Sequence, residues 1–459
     1  GYISYFNVVK SRDIISSPYN KRQDSYADRV IRGKILDRNG NVLAQTNVAE
    51  DGTETREYPY NNIFAHVVGY TAQGKSGLES VSNFELLTSN AFFVDKLKNE
   101  FQDKKNQGDN VVTTLDTNLQ EAAYDALGSN KGAVVVMDPS TGKILAMVSK
   151  PDFDPNTVSQ NWNELSTSED SVLLNRATQG SYAPGSTFKV VTALSYIRQN
   201  ASYRDYTYDF KLVTTLEFMR ENADFDSYSY NCTGSIESGD VTIHCYGGHV
   251  HGQVTLRDSL AYSCNTSFSN IGRSLNADTY KDTAQELLFN KKLPSVLPYS
   301  KSQFTLTSSD TEAERMMTAM GQGKTQVSPY HMALITSAIA NGGTLMKPYL
   351  VDSVTNNAGN VIEKTKPEKY KDLMTSKEAA QLKDYMTAVT DYGTASVLGG
   401  QNYTAAGKTG TAEYSSDKEK DHSWFVGIAN VDNPELVISV IIEQADGSAK
   451  AVNIAKKVF

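Results

Sequence analysis

"SYAPGSTFKV", residues 181–190, decides how this chain reads: a Pro-Gly corner, then Ser186, then Lys189 three positions on at the mouth of an apolar segment. In "TFKVVTALSYI", Val190, Ala193, Leu194 and Ile197 form one helical stripe, so Ser186 and Lys189 are expected about one turn apart on one face. A serine hydroxyl is a poor nucleophile until its proton is removed, and lysine removes it only when neutral, which demands burial or a neighbouring cation. A helix start adds unpaired N–H groups and the positive end of its dipole, both suited to an oxyanion. The bland alternative is a hydroxyl capping a buried helix. Ser-x-x-Lys also occurs at Ser140/Lys143, in a hairpin turn, and at Ser415/Lys418, in a polar loop, where nothing holds the pair together.

The cation is offered by Lys408 in "YTAAGKTGTAEY" (403–414). In a strand, Thr409 and Thr411 share one face, and Gly407 and Gly410 admit another backbone closely. Such an edge suits an extended peptide added as a strand, with Lys408 and the threonines holding a carboxylate. Lys75-Ser76-Gly77 repeats the triplet elsewhere, so the triplet alone decides nothing. A third element, Ser263-Cys264-Asn265, closes the helical pattern "VTLRDSLAYS" and supplies a hydroxyl and an amide able to pass a proton to a leaving amine. Ser-x-Asn recurs at Ser159, Ser229 and Ser274, and is the weakest of the three.

The bulk numbers set the frame. A chain of 459 residues exceeds what one core usually serves, so two domains are expected. Its composition, 39% hydrophobic and 21% charged, is that of a folded globular chain. A net charge of −9 without a basic block excludes a nucleic-acid binder. No run of about 18 apolar residues is present, and "GYISYFNVVKSRD" opens the chain without the pattern of a signal peptide.

Along the chain, "RVIRGKILDRNGNVLAQT" (29–46) reads as a hairpin around Asn39-Gly40, and a boundary is placed near 107, giving a β-rich segment 1–107 and a larger one over 108–459. "TNLQEAAYDALG" predicts a helix stopped by Gly128, and "GAVVVMDPSTGKILAMVS" a strand, turn and strand. "SPYHMALITSAIANGG" predicts a helix capped by Ser328 with Pro329 in its first turn, "ELVISVIIEQ" a buried strand, and "AKAVNIAKKVF" a closing helix. Residues 200–260 read as an irregular excursion. The fold class is α/β.

In chain order, Ser186-x-x-Lys189, Ser263-x-Asn265 and Lys408-Thr409-Gly410 match the motif set of the penicillin-recognising acyl-transferases. Nearly the whole chain resembles a class B penicillin-binding protein, a D,D-transpeptidase that cross-links peptidoglycan. "RGKILDRNGNVLA", "FAHVVGY" and "SGLE" resemble that family's N-terminal pedestal, while "LLNRATQGSYAPGSTFK", "GQGKTQVSPYHMALITSAIANGG", "GKTGTAE" and "HSWFVGIA" resemble its transpeptidase domain. "SYFNVVKSRDIISSPYNKR" is similar to the smaller division-type and PbpA-like members.

The resemblance implies a penicilloyl-serine transferase fold, an antiparallel sheet packed between helices, on a β-rich pedestal. It implies Ser186 as nucleophile, Lys189 as base, Ser263 as proton relay, Asn265 on the substrate amide, and Lys408, Thr409, Gly410 and Thr411 at the terminal carboxylate. The N–H groups of Ser186 and Thr411 would form the oxyanion hole. It also implies stem peptides and β-lactams as ligands, no catalytic cofactor, a SEDS-type glycosyltransferase with divisome or elongasome proteins as partners, and a single N-terminal anchor at the extracytoplasmic face, missing here. A β-lactam-sensing receptor and a slow β-lactamase or D,D-carboxypeptidase are the rival readings.

Cys232, Cys245, His251 and Cys264 run as C-x12-C-x5-H-x12-C and use every cysteine in the chain. Such a set suits a structural zinc, with His244 or His249 as substitutes for His251. Some relatives of this class carry zinc at the equivalent place with other ligand types. A Cys232–Cys245 disulfide stands second and reduced, unligated thiols third. His66, His331 and His422 are expected to pack or face solvent.

Overall fold

Five strands form the sheet on which the site is built: β1 (Gly132–Met137), β2 (Ile144–Lys150), β3 (Ala405–Ala412), β4 (His422–Ala429) and β5 (Leu436–Ile442). They pair antiparallel throughout, in the order β3-β4-β5-β1-β2. Every residue of β1 and β2 is buried, the signature of strands covered on both faces. The corner between them is closed by the Asp138 carboxylate, which accepts from the Ser140 N–H and hydroxyl. The structure is a computed structural model that describes residues 27–200, 227–412, 421–445 and 450–459. The "SYFNVVKSRDIISSPYNKR" stretch, the Ser415/Lys418 pair and the first part of the 200–260 excursion lie outside the described residues.

Six helices carry the argument: α1 (Thr117–Leu127), α2 (Lys189–Asn200), α3 (Asn265–Ser274), α4 (Pro329–Ala340), α5 (Ser376–Asp391) and α6 (Ala451–Val458). Helices α1 and α6 pack together on one side of the sheet; α4 lies on the other, with α5 beside it against β3. All of α4 is buried, and its Ser328 cap accepts from the His331 N–H at 3.1 Å. Asp116 caps α1 in the same way, accepting from Leu119 N–H at 3.0 Å.

The Asn39-Gly40 hairpin is present: Ile35–Leu36 and Val42–Val48 pair antiparallel, and the Asp37 carboxylate accepts from the Asn39 and Asn41 N–H groups, both at 2.8 Å. Its sheet runs Val361–Lys364, Val351–Thr355, Asn110–Thr113, Ile35–Leu36, Val42–Val48, Glu54–Glu57, so segments from either side of position 107 share it. The "RG" and "SGLE" stretches meet here, where the buried Glu79 carboxylate accepts from Arg32 at 3.1 Å, Arg56 at 2.9 Å and the Tyr58 hydroxyl at 2.7 Å. Burial would raise the Glu79 pKa, but Arg56 and Arg32 together outweigh it and hold it down at about 2.

From residue 227 the expected irregular excursion is ordered instead. Ser229–Cys232 pairs with Gly252–Thr255, and Ser235–Ser238 with Val241–His244, two short antiparallel ribbons. Four-residue strands among Gly, Tyr and Asp leave too little alternation to be read from sequence. Among the described residues, no helix is long and apolar enough to cross a membrane.

Candidate active site

The Ser186 turn is built by glycines. Gly185–Phe188 forms a 3-10 turn and α2 begins only at Lys189, so the continuous helix expected through Ser186 is a tighter turn feeding a helix. Gly185 has φ +54°, and a side chain there would come within 2.4 Å of the Thr411 carbonyl oxygen on β3. Gly321 presses from another side: its φ is +88°, a Cβ on it would lie 1.6 Å from the Gly185 oxygen, and its carbonyl accepts from Gly185 N–H at 3.0 Å. The half-buried Ser186 is thus held beside the strand that carries the Lys-Thr-Gly motif. Trp424 on β4 braces the same segment, donating from Nε1 to the Ala183 carbonyl at 3.0 Å.

Lys189 and Lys408 are both fully buried. Lys189 Nζ donates to the Ser263 carbonyl at 2.8 Å, the Ser263 hydroxyl at 3.2 Å and Asn265 Oδ1 at 2.7 Å. Lys408 Nζ reaches the same Ser263 hydroxyl at 2.9 Å and the Thr409 carbonyl at 2.8 Å. Among the described residues the Ser186 hydroxyl has no hydrogen-bond partner, so the amine expected to face it is turned toward Ser263 and Asn265. Three acceptors saturate a lysine head group, which explains that orientation. Hydrogen bonds between a nucleophile and its base commonly tighten only when substrate is present.

Ser263 is placed by strain. It follows the helix Leu256–Ala261 with φ +54°, a left-handed conformation that costs a non-glycine residue of order 1 kcal/mol or more, and Cys264 then caps α3. Burial pushes Lys189 down to about 7, against the opposing pull of Cys264 and Cys245. Burial, then the neighbouring Lys189 charge, holds Lys408 well below the ordinary lysine value.

Thr409 and Thr411 alternate with the buried Lys408 and Gly410, so both threonines face outward from β3. Gly410 lets the strand lie against the Ser186 turn, since a Cβ there would meet Thr187 Cγ2 at 3.0 Å. Two residues not singled out as site residues also belong to this edge: Thr394, whose hydroxyl lies 2.5 Å from that of Thr409, and Gln322, whose amide donates to the Thr411 carbonyl at 3.3 Å.

The model of the penicillin binding protein transpeptidase domain matches residues 132–210 and 209–459. This chain belongs to that penicillin-binding family. Residues 32–111 match the penicillin binding protein A dimerisation domain. The peptidoglycan D,D-transpeptidase PbpA of Mycolicibacterium smegmatis is 31% identical, over 96% of this chain and 91% of the relative. Among solved structures, the D,D-transpeptidase domain of a peptidoglycan glycosyltransferase from Eggerthella lenta aligns with TM-score 0.79 and 31% identity, over 94% of this chain and 98% of that one. The imipenem acyl-enzyme complex of penicillin-binding protein A from M. tuberculosis aligns with TM-score 0.79 at 28% identity, over 94% and 98%.

In this penicillin-binding chain the cysteines converge under the Ser263 loop. The ligand atoms of Cys232, Cys245, His251 and Cys264 all lie within 4.8 Å of one another. Cys245 Sγ stands 3.7 Å from Cys232 Sγ and 3.8 Å from Cys264 Sγ, and His251 Nδ1 is 3.4 Å from Cys232 Sγ. The three cysteines are buried and unbridged. His244 contributes its backbone instead, its carbonyl accepting from Asn265 Nδ2 at 3.0 Å, and His249 lies outside the group with its ring 6.5 Å from that of His251. Elsewhere His331 is buried between Ser302 Oγ and the Leu287 carbonyl, His66 meets the Val172 carbonyl, and His422 accepts from the Gln444 N–H.

Proposed function

We propose that this chain is a peptidoglycan D,D-transpeptidase that works through an acyl-enzyme on Ser186 and is inhibited by β-lactams through the same ester. One observation carries the reading: two buried amines, Lys189 and Lys408, converge on the Ser263 hydroxyl beside the Ser186 turn. Ser186 Oγ attacks the carbonyl carbon of the penultimate D-alanine of a stem peptide, and its proton passes to neutral Lys189 Nζ. The N–H groups of Ser186 and Thr411 receive the oxyanion. Ser263 relays a proton to the leaving nitrogen, the C–N bond breaks, and D-alanine departs. Attack by the amine of a second stem peptide restores Ser186 and completes the cross-link. Asn265 holds the substrate amide; Lys408, Thr409 and Thr411 hold the terminal carboxylate, and Gly410 keeps that strand close.

Residues 1–107 act in this reading as pedestal and 108–459 as transpeptidase domain, in line with the separate family matches over 32–111 and 132–459. A SEDS-type glycosyltransferase supplies the glycan, divisome or elongasome proteins are the other partners, and an N-terminal anchor holds the enzyme at the extracytoplasmic face. A fluorescent penicillin tests the activity: a label that persists on the protein together with turnover of a stem-peptide thioester supports transpeptidation. Rapid loss of the label points to a β-lactamase, a stable label without turnover to a sensor, and D-alanine release without an acceptor amine to a carboxypeptidase.

The Cys232, Cys245, His251 and Cys264 set is read as a structural zinc site. Sulfurs bound to one tetrahedral zinc at about 2.3 Å stand about 3.8 Å apart. The spacings of 3.7 and 3.8 Å favour that over a disulfide, which needs about 2 Å. Bound there, the ion supplies a cross-link between the two ribbons and α3. Metal analysis of protein purified without chelator tests this: about one zinc per chain is expected, and a content near zero removes the reading.

A further inference from the structure

The α3 residue that follows Asn265 is Thr266, whose side chain is fully buried. Its hydroxyl oxygen lies 3.2 Å from Cys232 Sγ, to which it donates, 3.4 Å from Cys264 Sγ and 3.6 Å from Cys245 Sγ. A threonine in the first turn of a helix ordinarily satisfies its hydroxyl on nearby backbone or in solvent; this one is spent on sulfur. A second donor joins it, since the Ser267 N–H points at Cys264 Sγ from 3.5 Å.

We propose that Thr266 is a positioning residue of the metal site, its hydroxyl donating to the ligand sulfurs and holding them gathered for zinc. The inference rests on the zinc reading above. Three thiolates, a neutral imidazole and a dication sum to −1, a charge expensive to bury without donors aimed at it. Thr266, Ser267 N–H and the N-terminal end of α3 are donors of that kind. Because Thr266 adjoins Asn265, the same helical turn carries both the catalytic amide and the hydroxyl that gathers the sulfurs.

The test is zinc affinity, measured by competition with a chromogenic chelator on the whole chain, for wild type, Thr266→Val and Thr266→Ser. Thr266→Val keeps the shape and loses the donor, and is expected to bind zinc about 10–100-fold more weakly. Thr266→Ser restores the hydroxyl and is expected to restore most of the affinity. Cobalt(II)-loaded Thr266→Val should keep its sulfur-to-cobalt absorption, since no ligand is lost, with the band displaced. Wild-type affinity in Thr266→Val overturns the proposal. So does a serine variant as weak as the valine one, since the restored hydroxyl would then have no effect of its own; this comparison also serves if the valine variant folds poorly. A wild-type protein that takes up no zinc instead removes the metal reading on which the proposal stands, an outcome distinct from both.

Discussion

Lys189 and Lys408 meet at one hydroxyl: their Nζ atoms lie 3.2 and 2.9 Å from Ser263 Oγ. Two ammonium groups this close and this buried repel each other and lack solvation, so at least one of them is neutral at working pH. A neutral amine next to a protonated one, joined through a hydroxyl, is a base and an acid connected by a relay.

The pH dependence follows from Lys189, held at about 7 by burial. Neutral amine is the active form, so the acylation rate should rise with pH through about 7 and fall roughly tenfold per pH unit on the acid side. Stopped-flow acylation by a fluorescent penicillin between pH 5 and 9 checks this. A rate independent of pH across that range would remove Lys189 as the base.

Ser263→Ala should slow acylation by about 10²–10⁴-fold, the usual worth of a positioned proton carrier. The fold should survive, since alanine loses only the relay oxygen and the left-handed backbone is already tolerated at this position. Retention of the wild-type rate would show that the two amines act without the hydroxyl.

Gly185→Ala should cripple both stability and acylation. The left-handed φ alone costs about 1–3 kcal/mol, and the new Cβ meets the Thr411 oxygen at 2.4 Å, moving the Ser186 turn off β3. Gly40→Ala is the control: its φ is also positive, +88°, but nothing lies within 4 Å. It should lose some stability and keep its acylation rate.

In the pedestal, Glu79→Gln strands the charges of Arg32 and Arg56 and should cost about 3–5 kcal/mol. The wild-type pH sign is also set. With the folded carboxyl at about 2 and the unfolded one near its ordinary value, the Glu79 contribution is complete above about pH 5. It is lost progressively as pH falls toward 2. Urea melts at pH 7, 4 and 3 should show that decline in wild type and a flatter profile in the variant.

What could be read in the sequence was what chemistry forces into fixed spacing. Ser186, Lys189, Ser263, Asn265 and Lys408 each stand in a motif, and the fold brings Lys189, Ser263, Asn265 and Lys408 into direct contact beside the Ser186 turn. The strands "GAVVVM" and "ELVISVII" were legible because burial on both faces leaves an unbroken apolar run. Thr394 and Thr266 were not, because no local pattern says which distant segment a threonine hydroxyl will meet, and Gly321 and Gln322, although inside the recognised "GQGKTQV" stretch, give no sign there of touching Gly185 and Thr411. For the same reason nothing in "NVVTTLD" announces that Asn110–Thr113 pairs with Val351–Thr355 across more than 230 positions. The hydrogen-bonding of Lys189 was equally hidden: spacing sets which residues are near, while its three acceptors set where the amine points.

The most direct measurement is intact-protein mass spectrometry of wild type and Ser186→Ala after incubation with benzylpenicillin. Wild type should gain the mass of one penicillin, on a peptide containing residue 186, and Ser186→Ala should gain nothing while keeping the wild-type melting profile. A penicilloyl adduct on the folded Ser186→Ala protein would contradict the account.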